Sequence, residues 1–182
     1  VGAPVLTVLT ARWPRKTALI CDGVTFSYAM LAERVRRVCG GAQRLGLRHG
    51  DRVAILAPNC IEYAELVVGL SDAGCIVATL NPRATAAEVA AACDDCGARV
   101  IFAHASLAGV AQGASCRSVE KVLVLGAEYE AWLADAPESL PLIDSFCQEY
   151  DIRVALHNHD QKASPIYWHP DGILKACEGR SS

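Results

Sequence analysis

The sequence has no strong excess of either charge, no long apolar run and no leader-like start. Its 182 residues include 17 basic and 20 acidic ones, and a net charge of −3 gives no reason to expect nucleic acid or an anionic membrane as a partner. Charge or glycine breaks every apolar run well before the roughly 20 residues that a membrane-spanning helix needs. Residues 1–4 lack the basic flank and apolar stretch of a signal peptide. We therefore expect a globular, cytoplasmic protein with no membrane span.

Cysteine, in contrast, is frequent, with nine residues and no export signal. An odd number scattered over apolar segments favours reduced, buried thiols over a disulfide framework. Cys93 and Cys96 have CxxC spacing, but a redox pair usually lies at a helix N-terminus, where the dipole lowers the thiol pKa. Here Thr85 and Glu88 form a capping box, so this pair falls at the C-terminal end of the helix, before Gly97. No second CxxC or CxxH completes a zinc site, and two structural cysteines are favoured.

Short β-rich runs alternate with amphipathic helical stretches over the first three quarters of the chain. Asp22-Gly23 predicts a tight hairpin, and Ser27 caps a helix whose charged face includes Arg34. The unbroken apolar run 75–80 suits a strand covered on both faces. Four strand–helix steps in a row predict an α/β fold with a partial doubly wound, mostly parallel sheet and flanking helices. The carboxyl ends of its strands would meet at one edge, where ligands normally bind.

Three blocks of the sequence carry a family resemblance. They are "TALICDGVTFSYAMLAERVRRV", "GLRHGDRVAILAPNCIEYAELVVGLSDAGCIVATLNPRATAAEV" and "CGARVIFAH". Their order and spacing resemble the N-terminal subdomain of AMP-forming acyl-CoA synthetases, in the adenylate-forming AMP-dependent synthetase/ligase family. "YEAWLADAP" is similar to the segment just before the phosphate loop of that family. The resemblance covers about 130 residues and implies an incomplete N-terminal α/β subdomain over residues 1–137.

The resemblance implies an enzyme that uses ATP and Mg²⁺ to convert a carboxylate into an acyl-adenylate and then transfers the acyl group to coenzyme A. Such chemistry requires a Ser/Thr/Gly/Lys-rich loop that holds the triphosphate, and the sequence contains no glycine-rich phosphate loop of any kind. The family's adenine motifs and its C-terminal domain with a catalytic lysine lie beyond the similar region. We therefore predict no catalytic residue, no cofactor-binding residue and no cofactor for this chain. Asn81-Pro82-Arg83 is typical of the family, and a strand-ending turn with a solvated arginine is its favoured interpretation.

Composition changes near Pro137. Alanine occurs 27 times before that point and 3 times after it, while three of the five histidines lie in residues 138–182. This last stretch resembles a βα segment of the sugar-phosphate isomerase/epimerase proteins, which are xylose-isomerase-like TIM barrels. The resemblance implies a second domain, a βα fragment over residues 138–182.

The predicted strand 152–156 ends at a His-x-His motif, His157 and His159. Alternate residues of a strand share a face, so these two histidines could ligate a divalent metal at the mouth of a barrel. A barrel needs on the order of 250 residues, and the other ligands of that family come from strands that this sequence lacks. The predicted metal site at His157 and His159 is therefore incomplete.

Three functions remain open at this point. The first is a fragment of an acyl-CoA synthetase that is inactive alone, and the second is a fragment of a metal-dependent sugar isomerase. The third is a chimeric or truncated product without catalysis. In all three, a partial sheet leaves strand edges unpaired, and such edges favour self-association.

Overall fold

The computed structural model describes residues 3–136. Six helices and six strands follow one another in these residues, with a short 3₁₀ turn at Ala105–Leu107. The helices are α1 Ala3–Arg12, α2 Tyr28–Arg44, α3 Ile61–Asp72, α4 Ala86–Cys96, α5 Ala108–Gly113 and α6 Ala127–Ala134. The strands are β1 Thr17–Cys21, β2 Val24–Ser27, β3 Arg52–Leu56, β4 Ile76–Thr79, β5 Ala98–Ala103 and β6 Lys121–Val124. The predicted junction near residue 137 and the second domain lie outside the described residues.

Four of the strands form a parallel sheet in the order β4-β3-β5-β6. The chain leaves β3 towards β4 on one side, then crosses back to β5 and continues to β6 on the other side. This reversal between two neighbouring strands defines a doubly wound sheet. The predicted α/β fold is confirmed.

Two apolar layers cover the sheet, one on each face. The first lies between the sheet and helices α2, α3 and α6, and the second lies between the sheet and helices α4 and α5. Strand β3 shows how the alternation of side chains supplies both layers: Val53 and Ile55 face the first, and Ala54 and Leu56 face the second. All four side chains are fully buried.

The hairpin and the helix caps form where the sequence predicts them. Asp22 and Gly23 both have positive φ, at 48° and 78°, which is the geometry of a two-residue hairpin turn. The Ser27 hydroxyl accepts from the backbone N–H of Met30 at the start of α2. Helix α4 has the predicted capping box, and Gly97 ends it in the left-handed conformation. These elements are specified by residues that are close in sequence.

Helices α2 and α3 approach each other closely at a glycine. A Cβ atom added to Gly69 of α3 would lie 2.5 Å from the Cβ of Val38 on α2, so no larger residue fits without a shift of the helices. Gly41 of α2 faces the ring of Trp132 on α6 in the same way. Glycine therefore sets the spacing of the three helices that cover this face of the sheet.

Two predictions about this region are corrected. The strand in the run 75–80 is β4, and it is the edge strand of the described sheet with Ile76 52% exposed, so it is not covered on both faces. The covered strands are β3 and β5, which lie in the middle. Arg34 belongs to a buried ion pair rather than to a solvated face. Within residues 3–136, no helix combines the length and apolar character needed to cross a bilayer.

Candidate functional site

The carboxyl edge of the parallel sheet is the candidate site. Strands β3 and β5 are neighbours whose following helices lie on opposite faces, and ligands of such sheets bind in the crevice outside this switch point. The loop 57–60 follows β3, and His104 follows β5. The backbone N–H of His104 donates to the carbonyl oxygen of Leu56 at 2.9 Å, which fixes the histidine beside the end of β3.

His104 presents a hydrogen-bond donor at this edge. Its Nδ1 accepts from the backbone N–H of Ser106 at 3.2 Å and lies 2.8 Å from the Ser106 hydroxyl. Because Nδ1 is an acceptor, the proton of the neutral ring is on Nε2. His104 is half-buried, and its bonds with Ser106 hold the ring in one orientation.

A cavity of about 290 Å³ lies beside the neighbouring loop, between the end of β4 and the first turns of α4. Asn81 and Arg83 line it, and the Asn81 side chain accepts from the backbone N–H of Arg83 at 2.9 Å. This bond holds the turn after the strand, as predicted, and leaves the Arg83 side chain exposed. Glu88 also lines the cavity, but its carboxylate accepts from Thr85 within the capping box.

The edge therefore offers a guanidinium and an imidazole N–H, which are donors suited to an anion. The residues described here contain no group of three or more metal-ligating side chains. The predicted ligands His157 and His159 lie outside these residues. The sheet edge was predicted from the alternation of strands and helices, whereas His104 was missed because its signal is a single residue after a strand.

A second polar group, also missed, connects the helices on one face of the sheet. We call Arg34, Glu65, Tyr129 and Glu130 the helix network. Arg34 of α2 donates to the fully buried Glu65 of α3 and makes a bidentate pair with Glu130 of α6, at 2.6 and 3.0 Å. The Tyr129 hydroxyl donates to the other oxygen of Glu65 at 2.9 Å. Burial raises the pKa of Glu65, and the bonds from Arg34 and Tyr129 act in the opposite direction.

The CxxC pair lies where the sequence predicts it, at the C-terminal end of α4. Cys93 is buried and Cys96 is half-buried, and both are free thiols. Burial raises the pKa of Cys93 to about 12, so this thiol is protonated at neutral pH. Its position and its pKa agree with a packing role for Cys93 in the reduced protein. The apolar segments also predict buried thiols at Cys39, Cys60 and Cys75. Cys39 and Cys75 are buried as expected, whereas Cys60 is only half-buried.

The sequence of this chain also matches a known family. The model of that family, described as "AMP-binding enzyme", matches residues 7–165. The chain belongs to the AMP-binding enzyme family. The match runs past residue 137 and includes His157 and His159, so it covers part of the stretch that was predicted to belong to an isomerase/epimerase.

Relatives of this AMP-binding family member include ligases of different acids. The chain is 30% identical over 128 residues to the fatty acid–[acyl-carrier-protein] ligase ScoC of Streptomyces coeruleorubidus, covering 70% of the chain and 25% of the ligase. It is 35% identical over 139 residues to a feruloyl-CoA synthase of an Amycolatopsis species, covering 74% of the chain and 27% of the synthase. The chain thus spans about a quarter of the length of these relatives.

Solved structures show the same fold. The N-terminal domain of FACL13 from Mycobacterium tuberculosis superposes with a TM-score of 0.71 at 25% identity, covering 78% of this chain and 38% of that one. A fatty acyl CoA synthetase of the same organism gives a TM-score of 0.71 at 26% identity, covering 76% of this chain and 29% of that one. The described sheet and helices therefore correspond to the N-terminal subdomain of acyl-CoA synthetases.

Proposed function

We propose that this chain supplies the N-terminal part of an AMP-forming acyl-CoA synthetase. In the complete enzyme, ATP and Mg²⁺ would activate a carboxylic acid as its acyl-adenylate, and coenzyme A would take the acyl group. The family match over residues 7–165 is the observation that carries this proposal. The names of the two relatives indicate a fatty acid and ferulate as their substrates, so an organic carboxylate is the substrate class that we infer.

We further propose that the 182-residue polypeptide does not form an acyl-adenylate by itself. Adenylation needs backbone N–H groups and a lysine arranged around the triphosphate. The sequence offers no glycine-rich loop for this purpose. Arg83 and His104 supply two donors at the carboxyl edge, and two donors do not replace a loop that surrounds three phosphates.

The carboxyl edge would then form one wall of the ligand site in the complete synthetase. Arg83 would contribute a long, flexible cation beside the cavity, and His104 would contribute a donor held by Ser106. Both lie on loops after parallel strands, where the sheet leaves backbone and side-chain groups free for ligands. This assignment gives the chain a positioning role in binding and leaves the phosphate chemistry to other parts of the enzyme.

ATP–pyrophosphate exchange tests the proposal. The purified chain would be assayed with Mg²⁺ and a panel of fatty acids, ferulate and coumarate, with the Amycolatopsis feruloyl-CoA synthase as the positive control. We expect acid-dependent exchange from the control and none from the chain. Exchange by the chain that depends on one of the acids, and that falls in an Arg83→Ala variant, would contradict the proposed inactivity.

The alternative function rests on the sequence of residues 138–182. His157 and His159 favour a divalent metal, and the resemblance to sugar isomerases supplies the reaction class. The family match weakens this alternative because it includes both histidines. Stoichiometric Co²⁺ binding that is lost in a His157→Ala/His159→Ala variant, together with metal-dependent turnover of a ketose, would favour it over the ligase assignment. If the chain is a non-catalytic chimeric or truncated product, we expect neither ATP–pyrophosphate exchange nor ketose turnover.

A further inference from the structure

Two cysteines that are distant in sequence lie in the same apolar layer, on the face of the sheet covered by α4 and α5. Cys93 lies near the end of α4, and Cys116 lies in the segment that leads from α5 to β6. Cys93 is a buried member of the apolar layer on this face of the sheet, and the half-buried Cys116 packs against that layer. All cysteines among residues 3–136 are free thiols, so the pair is reduced in this structure.

Further hydrogen bonds hold the two segments together beside the thiols. The Asp94 carboxylate accepts from the backbone N–H groups of Arg117 at 2.7 Å and Ser118 at 3.2 Å. The Ser118 hydroxyl donates to the carbonyl oxygen of Cys93 at 3.1 Å. The residues immediately after each cysteine are therefore bonded to each other, and these bonds hold the Cys93 and Cys116 segments side by side.

We propose that Cys93 and Cys116 form an intramolecular disulfide when the protein meets a peroxide. The half-buried Cys116 would attack hydrogen peroxide as a thiolate, which gives a sulfenic acid and hydroxide. The Cys93 sulfur would then attack the sulfenic sulfur, and the Cys93 proton and the sulfenic oxygen would leave in a molecule of water. Overall, two thiols lose two electrons and two protons, and one peroxide becomes two water molecules.

The environment of the pair assigns these two roles. Cys93 is buried, whereas Cys116 is half-buried and precedes Arg117, whose side chain is 89% exposed. Burial raises the pKa of both thiols. Cys116 is thus the thiol that peroxide reaches, and Cys93 is the resolving thiol behind it.

Cys96 is the competing partner of Cys93, three residues along the same helix. The Cys96 thiol donates to the backbone carbonyl oxygen of Cys93 at 3.5 Å, and this bond directs the thiol along the helix. A disulfide between residues of one helical turn would have to distort α4, whereas the Cys93–Cys116 bond joins segments that already touch. The CxxC spacing in the sequence therefore indicates a Cys93–Cys96 pair, whereas the fold indicates a Cys93–Cys116 pair.

Peptide mapping distinguishes the two pairs. The reduced full chain would be treated with hydrogen peroxide, alkylated to block remaining thiols, digested with trypsin and analysed by mass spectrometry without reduction. Cleavage after Arg83, Arg99 and Arg117 places Cys93 and Cys96 in residues 84–99 and Cys116 in residues 100–117. We expect a cross-link between these two peptides that forms faster at about pH 8.5 than at about pH 7, because the thiolate reacts.

Two variants and one control sharpen the result. The cross-link should persist in Cys96→Ser and disappear in Cys93→Ser, where dimedone should trap the sulfenic acid on Cys116. It should lose its selectivity in concentrated urea, which unfolds the chain. Three outcomes would overturn the proposal: a bond within residues 84–99, a cross-link that survives in Cys93→Ser, or oxidation of Cys116 to sulfinic acid without any cross-link.

Discussion

Replacing Arg34 by methionine should destabilise the chain by about 3 kcal/mol at pH 7. Methionine keeps much of the apolar length of the side chain but leaves the fully buried Glu65 with Tyr129 as its hydrogen-bond donor in the helix network. Removing one partner of a buried pair costs about 3–5 kcal/mol. Glu65 can limit this cost by taking up a proton, which from its ordinary pKa of 4.5 requires about 3.4 kcal/mol at pH 7.

The penalty should shrink as the pH falls. Burial raises the pKa of Glu65, and removing the guanidinium, which lowers it, raises it further. A carboxyl group with a higher pKa in the folded state contributes stability that is fully present below its unfolded pKa and is lost as the pH rises through its folded pKa. At pH 5 the protonation of Glu65 costs about 0.7 kcal/mol. The Arg34→Met variant should therefore lose about 1 kcal/mol of unfolding free energy at that pH.

Urea unfolding at pH 5 and pH 7 measures both quantities. Arg37→Met is the matched control on the same helix, because Arg37 pairs with the exposed Glu33 at 3.2 Å and should lose less than about 0.5 kcal/mol. A second substitution, Glu65→Gln, should recover part of the loss at pH 7 because it leaves an acceptor for Tyr129 and no buried charge. A loss for Arg34→Met below about 1 kcal/mol at pH 7, or an equal loss at both pH values, would refute the reasoning.

Two further predictions concern packing and the sheet edge. Gly69→Ala should destabilise the chain by about 1–3 kcal/mol because its Cβ would meet Val38, whereas Gly109→Ala, with no atom within 4 Å, should be neutral or stabilising. Thermal unfolding compares the two, and equal effects would contradict the close approach of the helices. We also expect concentration-dependent self-association in sedimentation, reduced by Ile76→Lys on the edge strand β4. A monomer at every concentration would count against the open edge.

Local signals predicted helix α4 to the residue. Its cap at Thr85, its partner Glu88 and its stop at Gly97 lie within a short stretch, so the information needed is local. The prediction that β4 is covered on both faces was wrong because it depends on information that is not local. An unbroken apolar run indicates a buried strand, but whether that strand is central or at an edge depends on the order of strands from elsewhere in the chain.

The site was predictable to the level of the sheet edge. Repeated strand–helix steps place all strand ends on one side, yet the pairing of β3 with β5, which brings His104 beside Leu56, does not follow from either segment alone. The ion pair of Arg34 with Glu65 joins residues 31 positions apart on two helices, so helical periodicity assigned Arg34 to the solvent. The shared layer of Cys93 and Cys116 was missed because the CxxC spacing directs attention to Cys96.

Calorimetric titration of the full chain with Mg²⁺ and ATP tests the central claim most directly. Without a loop to surround the triphosphate, the chain should give no saturable heat under conditions in which the complete feruloyl-CoA synthase relative binds ATP. One ATP bound per chain at a defined site would contradict the account.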